Sequence, residues 1–391
     1  MRILYIASGI PTPGTVGGSI HTLEVARGLA HLGHDVHVVA ASRELPLHHL
    51  RLRSLFRLTA RPYAEFTLYH QDVPKALSLL GAAAVIRLAR QLRPDLIMER
   101  YYNFAGAGMI AAHRLQIPTI LEVNALIVDP PTVLKRRLDD AFGSPFRRWA
   151  EQQCHWADRI VTPLHTTVPP AIPRDKIVEL PWGANVEAFK PPTAPVPGPP
   201  NIIFMGTFRP WHGVSDFVRA ARLLIERGHN YRFTLIGDGP ERSTAEALVA
   251  EYADRFTFTG AVAYERLPEL LVQAHLGVAP FNTAPHPALR TAGFFWSPLK
   301  IYEYMAAGLP VVTAAIHPLT AVIREGQEGA LFREGDIVDL AAAIERVLSD
   351  LQAAFAMGRR ARKRVVAEFS WQRHCAELER IALILVQHRH R

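Results

Sequence analysis

Cysteine is nearly absent from this 391-residue chain: Cys154 and Cys375 are the only two. Two thiols exclude a disulfide framework and a cysteine-rich zinc site, and a reducing compartment is the simplest setting. Long apolar runs are missing too. No stretch approaches the roughly 18 uninterrupted apolar residues that mark a spanning helix, and the run at residues 3–7 is too short for a secretory leader. Neither a G-x-G-x-x-G dinucleotide loop nor a G-K-[ST] phosphate loop occurs. The 18 histidines are scattered without metal-ligand spacing, so neither metal nor cofactor is expected. An aromatic-basic recognition module is lacking, which argues against nucleic acid as a partner.

What remains is a globular mixture. With 49% apolar and 20% charged residues, the chain can bury a core and is too apolar for long disorder. At about 150 residues per domain the length predicts two domains. The formal charge of +8 suits anionic partners such as phosphates or an acidic membrane surface, without choosing among them.

The order of elements is more informative. Arg2 to Ser8 reads as a buried strand, followed by a loop carrying Gly14, Gly17 and Gly18. His21 to Leu32 has helical spacing and is closed by Gly33, and Asp35 to Ala41 is the next strand. The same layout returns at mid-chain: strand Asn201–Met205, loop Gly206–Gly213, helix Ser215–Arg227 closed by Gly228, strand Tyr231–Ile236. This predicts an α/β fold of two doubly wound Rossmann-like lobes. Residues 191–200 contain six prolines and read as a stiff extended connector. The expected units are residues 1–185, residues 186–368, and a last helix within 369–391 packing on the first lobe. The terminal His388-Arg389-His390-Arg391 reads as a solvated end.

Residues 43–62 hold five arginines, two histidines and one acidic residue, interleaved with leucines and Phe56. That pattern fits a basic amphipathic segment on a membrane surface, and equally an ordinary surface helix or loop with snorkelling arginines.

The chemistry concentrates in Ser297-Pro298-Leu299-Lys300-Ile301-Tyr302-Glu303-Tyr304-Met305-Ala306-Ala307-Gly308. Ser297 at the N-cap and Pro298 at the first helical position predict a helix start there. The amides of Leu299 and Lys300, the helix dipole and the Lys300 ammonium make an anion site. Glu303, one turn on, suits a ribose diol. The same letters also fit a capped core helix with a surface Lys–Glu pair. Two further loops follow strands. Gly206-Thr207-Phe208-Arg209-Pro210-Trp211-His212-Gly213 offers close backbone approach with Arg209 and His212 as phosphate donors, and also fits a tight turn with a packed Trp211. Gly237-Asp238-Gly239-Pro240-Glu241 is weaker and fits a plain turn. With Gly17-Gly18-Ser19, these loops place glycines, cations and one carboxylate at strand ends, where open parallel sheets bind ligands. They suggest a nucleoside diphosphate between two lobes.

On these motifs, together with Pro181-Trp182-Gly183-Ala184-Asn185, the sequence resembles the retaining, nucleotide-sugar-dependent glycosyltransferases of family 4, whose fold is GT-B. The resemblance covers nearly the whole chain. Glu99-Arg100-Tyr101 and Glu122-Val123-Asn124-Ala125 look like a subgroup sharing the Ser-Pro-Leu-Lys signature.

The resemblance implies two lobes facing across a cleft and transfer of a sugar from a UDP- or GDP-linked donor to an acceptor hydroxyl, without a metal. It implies ribose binding by Glu303, distal phosphate binding by the amides of Leu299 and Lys300, and a place near the diphosphate for Gly17 and Gly18. His212 stands where the family has a phosphate-binding lysine, Thr207 where it often has arginine, and Val262 in the segment that contacts the base. Lys300, Arg209 and Glu303 are the expected catalytic group. Gly206, Gly237, Asp238, Gly239, Ser297 and Pro298 complete the expected donor site, and His21, Glu122 and Asn124 are the expected acceptor residues. No side chain is an obvious nucleophile. Phe295 stands where the family has the first glutamate of its E-x7-E motif, of which Glu303 is the second, so sugar selection must use other groups. The implied setting is cell-surface polysaccharide or glycolipid synthesis in the cytoplasm, at the inner face of the membrane, with a carbohydrate or lipid-linked acceptor. An inactive sugar-binding homologue, a nucleotide-sugar epimerase and a glycoside phosphorylase of this fold remain alternatives.

Overall fold

The computed structural model describes every residue except Thr15, Ala64, His390 and Arg391, and leaves out the side chains of His49 and His388. The chain divides into two units. Unit 1 comprises 1–182, 295–297 and 371–391, and unit 2 comprises 183–294 and 298–370. The division falls three residues before the 185/186 boundary read from the sequence.

Unit 1 is built on eight strands: β1 (Arg2–Pro11), β2 (Asp35–Ala41), β3 (Thr59–Tyr63), β4 (Phe66–His70), β5 (Leu96–Arg100), β6 (Thr119–Glu122), β7 (Arg159–Thr162) and β8 (Ile177–Glu179). Their order is β3-β4-β2-β1-β5-β6-β7-β8. All neighbours are parallel except the antiparallel β3–β4 pair at one edge. Buried on both faces, β1 reads as a continuous apolar run, as parallel strands do. The order reverses beside β1, so the switch point lies between β1 and β5.

Unit 2 has six parallel strands: β9 (Asn201–Met205), β10 (Arg232–Ile236), β11 (Phe256–Gly260), β12 (Leu276–Ala279), β13 (Val311–Ala314) and β14 (Gly329–Phe332). Their order is β11-β10-β9-β12-β13-β14, with the switch point between β9 and β12. One core, from Ile202 and Phe204 to Ile344 and Leu348, packs the flanking helices on this sheet.

Three local expectations change. Gly17 and Gly18 do not lie in a loop. They open the helix Gly17–His31, with Val16 extended as the cap residue. Residues 191–200 are no free connector, because they lie on unit 2. Pro191 packs against Gly308, and the His275 imidazole donates to the Val196 carbonyl at 3.0 Å. Apolar pyrrolidine rings are buried more favourably than exposed. The basic segment 43–62 is not one helix but two short 3₁₀ turns, Leu47–His49 and Leu52–Leu55, leading into β3. The last helix, Trp371–Arg389, belongs to unit 1 and packs Cys375 against Gly28 of the helix Gly17–His31. Of the expected solvated end, His390 and Arg391 lie outside the described residues. No helix of the described residues is long and apolar enough to cross a membrane.

Candidate active site

In unit 2 the loops that matter follow β9, β10 and β12. The loop after β9 runs through Gly206, exposed Thr207 and Arg209, and a 3₁₀ turn Pro210–His212. The loop after β10 begins at Gly237 and packs directly on it. A Cβ at Gly237 would stand 2.0 Å from the Gly206 carbonyl oxygen, so neither loop tolerates a side chain there. Asp238 is exposed. Its carboxylate accepts the Gly239 amide at 2.7 Å and faces Arg242 at 3.6 Å. Val262, half-buried, follows β11.

The helix Leu299–Ala306 brings Lys300 to this end of the sheet. Tyr304 fixes it: the phenol, fully buried, accepts the Met205 amide of β9 at 2.7 Å. Arg362 holds the other end, donating to the carbonyls of Ala306, Phe189 and Val186. The helix starts at Leu299, with Pro298 in the cap position and no side-chain cap. Ser297, expected to cap it, instead accepts the Trp182 amide on its hydroxyl at 2.9 Å, within unit 1. Proline at the cap fixes φ without any side-chain acceptor. The first amides, those of Leu299 and Lys300, have no carbonyl inside the helix to bond.

Lys300 and Glu303 are both buried, which excludes the surface-pair alternative. The Lys300 ammonium has no hydrogen-bond partner among the described residues. It lies over the rings of Phe204 in β9 and Phe281 just after β12, at 4.5 and 4.9 Å, which is the switch point of the sheet. A Cβ at Gly206 would come within 2.7 Å of its Nζ, so the glycine makes room for the amine. Burial lowers its pKa from 10.5 to about 7, while Glu303 opposes the shift. His212 donates from Nδ1 to the Thr207 carbonyl at 2.7 Å. Burial and the Lys300 charge bring its pKa down to about 3, so the imidazole is neutral at pH 7. Arg209 is exposed over Trp211, 5.5 Å from the ring centre.

In unit 1 the expected acceptor residues form one cluster, with His21 and Glu122 buried and Asn124 half-buried. His21 is 1% exposed. The Arg100 guanidinium touches His21 Nδ1, and Tyr5 donates its hydroxyl to Glu122 at 2.5 Å. His21 lies 4.6 Å from Trp182 and 5.3 Å from Trp371, ring centre to ring centre. Trp182 in turn donates from its indole to Asn124 at 2.8 Å. Burial pushes the Glu122 carboxyl up and the His21 imidazole down, the charge of Arg100 opposing the first shift and reinforcing the second. Gly17 lies near Trp182, and Gly18 near Ile10 and Arg100, with room for a Cβ in both cases.

His21, Glu122 and His374 place three possible metal ligands within 4.8 Å of one another. The residues do not suit a cation. A guanidinium only donates, so with Arg100 on Nδ1 the His21 proton sits on Nε2, which faces Glu122 at 3.6 Å. That nitrogen has no lone pair for a metal, and Arg100 adds a fixed positive charge beside it.

Sequence reasoning missed Phe204, Phe281 and Tyr304 around Lys300, and Tyr5, Trp371 and His374 around His21. Phe204 and Tyr5 sit inside strand patterns that already explain them as core. His21, Glu122, Asn124 and the Glu99-Arg100-Tyr101 motif signalled the second cluster without these neighbours.

Two units built on parallel sheets with helices on both faces have the architecture of GT-B glycosyltransferases. A family model for "Glycosyltransferase Family 4" matches residues 16–168, and one for "Glycosyl transferases group 1" matches 199–350. The chain therefore belongs to the family 4 glycosyltransferases and is an enzyme of the transferase class. It is 28% identical to the D-inositol 3-phosphate glycosyltransferase of Nocardia farcinica, over 94% of this chain and 84% of that protein. It is 27% identical to the 2-deoxystreptamine glucosyltransferase of Streptomyces kanamyceticus, over 73% and 76% respectively. In fold it resembles the sucrose-phosphate synthase of Thermosynechococcus elongatus, with TM-score 0.73, 19% identity and 99% of both chains covered. Anabaena HepE, solved with UDP, superposes with TM-score 0.71 at 18% identity, over 98% of this chain and all of that one.

Proposed function

We propose that the chain transfers a glycosyl group from a nucleoside diphosphate sugar, UDP- or GDP-linked, to an acceptor hydroxyl with retention of configuration. The observation that carries this reading is the unpartnered, buried Lys300 ammonium at the switch point of unit 2. A leaving diphosphate supplies the hydrogen-bonding anion that this cation lacks among the described residues, where Glu303 acts on it through charge alone. The amides of Leu299 and Lys300 and the guanidinium of Arg209 add donors to the same group. Gly206, Thr207, Gly237, Asp238 and Gly239 shape the phosphate wall. Glu303 takes the ribose, and Val262 lies beside the base. The sugar C1–O bond breaks toward the diphosphate, the acceptor oxygen bonds C1 on the same face, and the acceptor proton passes to the departing phosphate oxygen. Stabilising charge that grows on that oxygen is the protein's main task. His21, Glu122 and Asn124 serve the acceptor on unit 1, with Gly17 and Gly18 leaving a helix N-terminus open beside them. The acceptor is a carbohydrate or a lipid-linked saccharide, in polysaccharide or glycolipid synthesis at the cytoplasmic face of a membrane, with 43–62 as the contact.

Thermal melts with UDP, GDP, ADP and TDP test the donor. A ligand at 100 times its Kd adds about 2.7 kcal/mol to stability. A shift with one nucleoside diphosphate and multiple turnover with its sugar are expected. No shift with any of them overturns the reading. Buried Phe295 and neutral His212 favour a second reading, an inactive binding homologue, which multiple turnover excludes.

The enzyme needs no metal. Full turnover after exhaustive chelation is expected, and a loss restored by a divalent cation would contradict it.

Donor binding should also take up a proton. The free Lys300 amine titrates at about 7, and a bound diphosphate favours its charged form. Affinity for the nucleoside diphosphate is therefore flat below that pH and falls about tenfold per unit above it. Calorimetry in buffers of different ionisation enthalpy counts the proton. Affinity independent of pH between about 6 and 9 would show that the amine is not in the site.

A further inference from the structure

Many arginines of this protein face a carboxylate. Arg136, Arg147, Arg222, Arg242, Arg324 and Arg364, for example, each pair with an acidic residue four positions along the chain. The segment after β2 gathers five arginines without such a pair. Arg43, Arg51, Arg53, Arg57 and Arg61 are all exposed, and none has an ion pair or side-chain hydrogen bond among the described residues. Residues 45–62 contain no acidic residue at all. Between these arginines stand Leu47, Leu52 and Phe56, large apolar side chains left 60, 74 and 59% exposed.

A second strip of this kind follows β6. Leu134 and Leu138 on the helix Leu134–Ala141, then Phe142 and Phe146, are exposed in succession, Phe142 by 80%. Arg137 beside them is exposed and has no carboxylate partner among the described residues. The acidic groups here are already engaged. Asp140 pairs with Arg136 and Arg147, Asp129 with Lys135, Glu151 with Arg147, and Asp139 accepts the amides of Phe146 and Arg147.

The two strips are joined through unit 1. The turns Leu47–His49 and Leu52–Leu55 pack on the 3₁₀ segment Lys75–Gly81, where Leu80 is 53% exposed. That segment donates from Leu79 and Ser78 to the Phe104 carbonyl, and the Phe104 ring lies 5.0 Å from Phe146. All these segments follow the carboxyl ends of parallel strands β2, β4, β5 and β6. They therefore share the sheet edge that carries Arg100 and Glu122.

We propose that this edge of unit 1, from Arg43 to Arg61 and from Leu134 to Arg148, is a docking face for an anionic lipid bilayer. Unpaired guanidinium groups among exposed leucine and phenylalanine meet both demands of a lipid interface. Phosphate headgroups take the arginines, often in bidentate fashion, and the acyl boundary takes the apolar side chains. The match of charge selects an anionic surface, since Glu44 is the one acidic residue among the five arginines from 43 to 61, and Asp139 and Asp140 of the second strip are already engaged.

Vesicle co-sedimentation tests this in the absence of any nucleotide, so its failure leaves the transferase reading intact. The full chain should bind mixed phosphatidylcholine–phosphatidylglycerol vesicles and not pure phosphatidylcholine. The triple change Arg51→Gln, Arg53→Gln, Arg57→Gln should weaken partitioning about a hundredfold, at about 1 kcal/mol per basic residue. The pairs Leu52→Ser with Phe56→Ser, and Leu138→Ser with Phe142→Ser, should each weaken it by about tenfold or more. All these side chains are exposed, so unchanged melting temperatures and nucleotide affinity will show intact folding. Absence of binding, or equal binding to both vesicles, overturns the proposal. So does sensitivity to the arginine changes without sensitivity to either apolar pair. Indifference to vesicles with binding of an acidic polypeptide would reassign the face to a protein and equally refute it.

Discussion

Lys300→Met should cut turnover by about two to three orders of magnitude and, at the same time, raise the melting temperature of the ligand-free protein. The amine is buried over two phenylalanine rings with no hydrogen-bond partner among the described residues, and burial brings its pKa from 10.5 to about 7. Below about pH 7 both the folded and the unfolded chain carry the ammonium, and its full desolvation cost, on the order of several kcal/mol, weighs on the folded state. Between that pH and 10.5 the unfolded chain binds the extra proton, so stability rises with pH. Methionine has similar length and no charge to desolvate. Its gain in stability is therefore largest in mild acid and shrinks toward pH 10, a trend that melts across this range will follow. Turnover should fall by about 10²–10³, the usual result of removing one preorganised donor from a developing oxyanion. A methionine variant that melts lower would make Lys300 a structural residue. One that keeps its turnover would remove it from the reaction.

Arg100→Met should cost about 3–5 kcal/mol, because it strips the counter-charge from a buried carboxylate. Arg100 is 5% exposed, contacts His21, and lies 5.4 Å from the ring centre of Trp182. Its charge holds down the Glu122 pKa, which burial pushes up. Without it, Glu122 folds best when protonated, so the variant should regain stability as the pH falls. The double variant Arg100→Met with Glu122→Gln should recover much of the loss, since the amide oxygen still accepts the Tyr5 hydroxyl. Urea unfolding of the four proteins gives the coupling energy directly. A single-variant cost under about 1 kcal/mol would place Glu122 as neutral already in the parent protein.

The two halves were legible because their signals are local. Strands β2 and β9 fall at the residues their apolar runs predict. Gly33 and Gly228 close their helices in the left-handed region, both at φ +89°. The loops 206–213 and 237–241 lie at strand ends as their glycines suggest, and the helix carrying Lys300 and Glu303 starts within two residues of its expected place. The start itself was misread: Ser297 looks like a cap, but its hydroxyl serves the Trp182 amide, 115 residues away in sequence.

By itself, then, the sequence determined two strand–glycine loop–helix repeats, the candidate donor loops, and Lys300 and Glu303 one turn apart. These follow from residue spacing and turn chemistry over a dozen residues. Tertiary structure alone decided that Lys300 is buried between Phe204 and Phe281, that His212 is neutral, and that Arg100 meets His21. It also decided that the proline stretch lies on unit 2, and that the arginines of 43–61 find no carboxylate among the described residues while Arg136, Arg222 and Arg364 do. Desolvation and ion pairing depend on which distant atoms surround a group, and residue spacing along the chain does not encode that environment.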